Sequence, residues 1–143
     1  MNILKQPRRK PSKGPHVVVV EDDPLLSLTL EDALLRAGAG RVTSCPAMAA
    51  AVEVFEKGRV DALILDVHLA DRDDGWALAE LAAVLGARRP VIAFSTGAPE
   101  AIPDDVRPLG PVYAKPYDPD VLATEVLGSI PPGLVKRLRA VLR

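Results

Sequence analysis

Three consecutive acids, Glu21, Asp22 and Asp23, follow the apolar run Val17–Val20, and a fourth, Asp66, follows Ala62–Leu65. Two hydroxyls, Ser95 and Thr96, close the run Val91–Phe94, and Lys115-Pro116 follows Pro111–Ala114. Carboxylates gathered at one place repel one another, and a hard divalent cation relieves that repulsion. An oxygen-only donor set with open positions suits magnesium and a phosphoryl group, whereas zinc would want a Cys/His pair of ligand spacing, which the chain lacks. A carboxylate is also a nucleophile toward phosphorus and gives an aspartyl phosphate. The charge that develops on the transferring oxygens calls for a metal and a positioned cation, here Lys115, with a hydrogen bond from Ser95 or Thr96. Each residue alone has a plainer reading: acids and hydroxyls cap helices, Asp22 or Asp23 before Pro24 fits that role, and Asp66 suits a polar turn. Together they point to phosphoryl transfer onto one of the chain's own aspartates.

These groups meet only if regular elements carry them to one place. Val17–Val20 and Ala62–Leu65 are continuous apolar runs, the pattern of strands buried on both faces. Arg41–Cys45, Val91–Phe94 and Pro111–Ala114 read as three further strands. Helical spacing runs from Leu25 to Ala37 before Gly38, from Pro46 to Lys57 before Gly58, from Gly75 to Leu85, and from Val121 to Ile130. In 98–108, Pro99, Pro103 and Pro108 leave room for a turn or two. Strands alternating with helices imply a doubly wound α/β domain, a parallel sheet covered on both faces by right-handed crossovers. Ligands of such a sheet sit beyond the carboxyl ends of its strands, where all the residues above fall.

The 143 residues suffice for one domain, and 48% apolar with 26% charged residues is a globular balance. Aromatics make up 3%, so the core is aliphatic and base-stacking nucleic-acid binding is disfavoured. The single Cys45 excludes a disulfide framework. No apolar run approaches the roughly 18 residues of a membrane span, and Val17–Val20 is too short for a signal-peptide core. The expected compartment is the cytoplasm. Charge is uneven. Residues 1–16 carry +5 and 131–143 carry +4, while 17–130 hold all 19 acids beside nine bases and stand at −10. Residues 1–15, with Pro7, Pro11, Gly14 and Pro15, read as a disordered basic tail, either merely solvated or an arm for nucleic acid or a membrane surface. After Pro131-Pro132-Gly133, residues 131–143 read as a basic amphipathic helix with Leu134, Leu138, Val141 and Leu142 on one face. That face packs on its own domain or recruits a partner. The domain proper is expected over 16–130.

Over about 16–130 the chain resembles the receiver domain of two-component response regulators. The likeness rests on Val17-Val18-Val19-Val20-Glu21-Asp22-Asp23-Pro24, Leu63-Ile64-Leu65-Asp66, Pro90-Val91-Ile92-Ala93-Phe94-Ser95 and Lys115-Pro116, in that order and spacing. It implies a flavodoxin-like (βα)5 fold with strand order 2-1-3-4-5. It implies that Asp66 is the phosphoacceptor, that Asp22 and Asp66 bind Mg2+ directly and Glu21 through water, and that the backbone carbonyl of His68 completes the ligands. Lys115 would pair with the phosphoryl group, a cis bond would precede Pro116, and Ser95 would be the hydroxyl switch, with Thr96 its rival. Asp23 would cap the first helix.

Four features depart from the family pattern. Ala70 replaces the usual proline four residues past Asp66, and Gly75 comes one residue late, after the acidic run Asp71, Asp73 and Asp74. Val112 holds the aromatic position three before the lysine, and strand alternation turns the neighbouring Tyr113 to the opposite face. The proline-broken 98–108 replaces a regular fourth helix. The resemblance implies a response regulator rather than an enzyme, and because 131–143 leave no room for a DNA-binding or other output domain, a single-domain regulator is expected. A histidine kinase or histidine phosphotransfer protein would phosphorylate it, and it would switch binding to a downstream protein or relay the phosphate. Two other readings stand beside it. One is a phosphorylation-independent binding module. The other is an aspartyl-phosphate phosphohydrolase, which would need a substrate-enclosing insertion.

Overall fold

The computed structural model describes residues 14–67, 79, 89–133, 138 and 140–142. The anticipated helix from Gly75 to Leu85 apart from the buried Ala79, the acidic run after Asp66, His68 and almost all of the basic tail lie outside them. Five strands form one parallel sheet: β1 (His16–Val20), β2 (Arg41–Cys45), β3 (Ala62–Asp66), β4 (Val91–Thr96) and β5 (Val112–Ala114), in the order β2-β1-β3-β4-β5. Helices α1 (Pro24–Arg36), α2 (Met48–Lys57) and α3 (Pro119–Ser129) accompany them among the described residues. This is the doubly wound architecture anticipated from the sequence. No helix among the described residues is long and apolar enough to cross a membrane.

Strand alternation divides the core in two. Val17, Val19, Ala62, Ile64 and Ala93 pack beneath Leu30, Ala33 and Leu34 of α1 and Leu122, Ala123 and Val126 of α3. Val18, Val20, Leu63, Leu65 and Phe94 face the other way, toward Met48 and Ala51 of α2 and toward Ile102 and Val106. Burial of each of these larger aliphatic side chains contributes roughly 1.5–3 kcal/mol, which fixes register as well as stability. Val112 joins the second layer and Tyr113 the first, the alternation expected of them.

Capping residues fix where α1 begins and ends. The Asp23 carboxylate accepts from the Leu25 and Leu26 amides, 2.9 and 3.4 Å away, and satisfies donors that the first turn leaves open. At the far end Gly38 takes φ 115°, a left-handed conformation that glycine adopts without strain. The Ala39 amide then donates to Leu34 and the Gly38 amide to Leu35, closing a Schellman motif. Helix α2 starts at Met48 rather than at Pro46, because Ala47 is still extended at φ −149° and ψ 161°. Helix α3 starts at Pro119 rather than Val121, since the Asp118 side chain accepts from the Asp120 amide and caps it two residues earlier.

Residues 98–108 hold two short 3-10 turns, Pro99–Ala101 and Arg107–Leu109, in place of a regular helix. Ile102 and Val106 between them are buried and close the α2 layer. The apolar side chains Leu138, Val141 and Leu142 at the other end of the chain are exposed, at 54%, 81% and 84%.

Candidate functional site

Strands β3 and β4 each run further than their apolar cores. Asp66 is the last residue of β3 and Ser95 and Thr96 the last two of β4, where the sequence pattern placed them just beyond the strands. Asp66 and Ser95 are register partners, so both side chains are held by a sheet ladder rather than by a loose turn. Parity then selects a face. Asp66 shares that of Ala62 and Ile64, Ser95 that of Ala93, and Glu21 continues that of Val17 and Val19. Thr96 has the opposite parity, beside Phe94, and its hydroxyl accepts from the Ala98 amide at 3.0 Å.

Lys115 reaches into this group from the end of β5. Its Nζ donates to Glu21 Oε1 at 2.9 Å, to Glu21 Oε2 at 3.2 Å and to Asp66 Oδ2 at 3.1 Å. The Lys115 amide donates to Thr96 O at 2.8 Å, which ties the lysine to β4, and the Lys115-Pro116 bond is cis. The side chains of Glu21 and Asp66 are 2% and 5% exposed, so these charges interact with little water between them. Burial, aided by a hydrogen bond to Asp66, pushes the Glu21 carboxyl up to about 8 even though Lys115 pulls it back. For Lys115, burial alone would lower the ammonium, yet the hydrogen bonds and charges of Glu21 and Asp66 hold it above the ordinary lysine value.

Glu21, Asp22 and Asp66 can each bring one carboxylate oxygen within 4.8 Å of the others. Asp22 is exposed while its two companions are buried, so the group opens to solvent on one side. Three carboxylates against one ammonium leave an excess negative charge on a hard, oxygen-only donor set. A small divalent cation fits both the charge and the donors. Asp23, by contrast, is committed to the cap of α1. His68, whose carbonyl the resemblance implicates, lies outside the described residues.

The sequence reading passed over one neighbour. The Tyr117 hydroxyl lies 2.7 Å from Ser95 Oγ. Its ring meets that of Tyr113 edge-on, with centroids 6.0 Å apart and planes at 63°. The Tyr113 hydroxyl in turn donates to Glu125 of α3. Burial raises the Tyr117 phenol above its ordinary value.

The family model of the response regulator receiver domain matches residues 17–126. The chain belongs to that family. The described fold agrees with solved receivers. A CheY-like receiver domain from Methylobacillus flagellatus superposes with a TM-score of 0.72 at 20% identity, covering 82% of this chain and 98% of that one. The HemR receiver domain from Leptospira biflexa, non-phosphorylated, gives 0.67 at 26% identity over 83% and 98%. The response regulator TrrA from Thermotoga maritima, solved in complex with Mg(2+)-BeF, gives 0.67 at 20% identity over 78% and 96%. No curated protein sequence matches this receiver.

Proposed function

We propose that this receiver accepts a phosphoryl group on Asp66 from the phosphohistidine of a histidine kinase or phosphotransfer protein, and that the uptake changes its binding to a partner protein. The observation that carries this reading is Lys115 Nζ held between Glu21 and Asp66, a cation aimed at the carboxylate that would be modified. An Asp66 oxygen attacks phosphorus, the P–O bond forms as the donor's P–N bond breaks, and the departing imidazole takes a proton. Lys115 stands where it can follow the new negative charge on the phosphoryl oxygens. Ser95, the register partner of Asp66 and of the same parity, supplies the hydroxyl that closes on that group, while Thr96 keeps its bond to the Ala98 amide.

Asp22 and Asp66 would hold Mg2+ with the His68 carbonyl, and Glu21 would reach it through water. When bound, the ion neutralises charge on the phosphoryl oxygens. The relative from Thermotoga maritima solved with Mg(2+)-BeF supports magnesium as the ion.

Intact mass after incubation with Mg2+ and acetyl phosphate, run beside Asp66→Ala, tests the proposal. One added phosphoryl group in the wild type, absent from the variant and from a sample treated with a chelator, is the expected result. Labelling that persists in Asp66→Ala would overturn the acceptor assignment.

A further inference from the structure

Ser95 has a register neighbour on each side of its strand. In the order β3-β4-β5, Ser95 is in register with Asp66 on one side and with Tyr113 on the other. Tyr117, just past the end of β5, packs its ring on that same Tyr113 and brings its hydroxyl to 2.7 Å from Ser95 Oγ. The serine therefore points toward the β5 side. A phosphoryl group on Asp66 would stand on the β3 side. Ser95 is 1% exposed, so its hydroxyl has no water to turn to and must choose between protein partners. A phosphoryl oxygen only accepts, so Ser95 would have to swing toward β3 and present its own proton there.

We propose that Tyr117 is a positioning residue that latches Ser95 away from Asp66 in the unphosphorylated receiver, and that closing of Ser95 onto the phosphoryl group breaks the latch. The inference rests on Asp66 as acceptor and adds what holds the switch open. Release of the Tyr117 hydroxyl frees a ring that bears edge-on upon Tyr113, whose own hydroxyl is bonded to Glu125 of α3. The event at Asp66 thereby reaches the exposed Glu125 of α3 through two aromatic side chains. Tyr113 and Tyr117 are the two tyrosines of the chain, so each can be followed without assignment ambiguity once one is substituted.

The latch opposes closing, so its loss must favour the closed state. Beryllofluoride with Mg2+, a stable stand-in for the phosphoryl group, is titrated against wild type, Tyr117→Phe, Ser95→Ala and the double variant. Tyr117→Phe, which removes one oxygen and keeps the ring, should bind tighter by roughly two- to tenfold, the worth of one hydrogen bond between neutral groups. In the Ser95→Ala background the same change should make no difference, because the bond is already gone. Unchanged or weaker binding by Tyr117→Phe, or a gain that persists without Ser95, would overturn the latch. Tyrosine-labelled NMR spectra give a second readout on the wild-type chain. Both tyrosine signals should move on addition of beryllofluoride, and neither should respond in Ser95→Ala as it does in wild type; a stationary Tyr117 signal in the wild type also overturns the inference. A wild-type receiver that binds no beryllofluoride and takes no phosphoryl group would overturn the acceptor reading itself, and is told apart from failure of the latch because all four proteins would then be equally inert.

Discussion

Asp22 and Asp23 are neighbours of the same chemical type with different work to do. The Asp23 carboxylate is engaged by two helix amides, whereas Asp22 offers an oxygen to the cluster formed with Glu21 and Asp66. Asp23→Ala should therefore lower stability by about 1 kcal/mol, the usual cost of losing an N-cap, and leave Mg2+ affinity as it was. Asp22→Ala should do the reverse, weakening Mg2+ binding by at least the roughly 10-fold that loss of even an outer-shell partner costs, at nearly constant stability. Calorimetric Mg2+ titration and urea unfolding of both variants check this, and a loss of affinity in Asp23→Ala would show that the cap is also a ligand. Glu21, Asp66 and Lys115 were legible in the sequence because each directly follows an apolar run, and a parallel sheet delivers such positions to one edge. Spacing from Pro90 put Ser95 forward with Thr96 as its rival, and the parity of β4, which sets Ser95 on the face of Asp66 and binds Thr96 to the Ala98 amide, shows only in the structure. Tyr117 was not legible. Its approach to Ser95 depends on how the chain folds back after Lys115-Pro116, which no local pattern encodes.

Among the elements, the strands were read more accurately than the helix starts. Hydrophobic runs mark the buried length of a strand, so they stop short where a ladder continues through polar residues, as at Asp66 and Ser95. Helix starts follow capping chemistry instead: Asp118 sets the start of α3 ahead of its apolar pattern, and Ala47 delays α2 past its proline. The segment between β4 and β5 shows a different constraint. Gly110 has an extended φ of 177°, so any residue could adopt its backbone conformation. What it lacks is space, since a Cβ there would overlap the carbonyl of Ile92. That contact lies beside the bond from the Phe94 amide to Pro111 O, 2.8 Å long, which leads into β5. Gly110→Ala should force β4 and the approach to β5 apart and destabilise the fold by about 1–3 kcal/mol, as overpacking does. Because β5 carries Lys115, phosphoryl uptake should also slow. Urea unfolding together with the rate of acetyl phosphate labelling measures both, and a variant of wild-type stability would mean that the turn yields freely.

At the scale of the whole molecule, the acidic centre sets stability against function. The stretch 17–130 carries −10, and Glu21, the most deeply buried acid among the described residues, lies beside Asp66 in a group with excess negative charge. Folding raises the Glu21 carboxyl from 4.5 to about 8, so between those pH values the folded protein binds a proton that the unfolded chain does not. Stability rises with pH only where the unfolded state binds more protons, so here it must fall as pH climbs through that window. The difference in unfolding free energy between wild type and Glu21→Gln should accordingly shift against wild type from pH 5 toward pH 8 in the absence of metal. In the proposed site Mg2+ would favour the ionised form of Glu21, so proton and ion would compete. Added Mg2+, acting only on the folded state, should stabilise wild type more at pH 8 than at pH 6. Glu21→Gln should lose most of that pH dependence while still being stabilised by the ion. Thermal unfolding of both proteins across this range, with and without Mg2+, is the measurement. An equal Mg2+ gain at both pH values in wild type would mean that the proton on Glu21 and the cation do not share a site, and that the burial of this acid serves the fold alone.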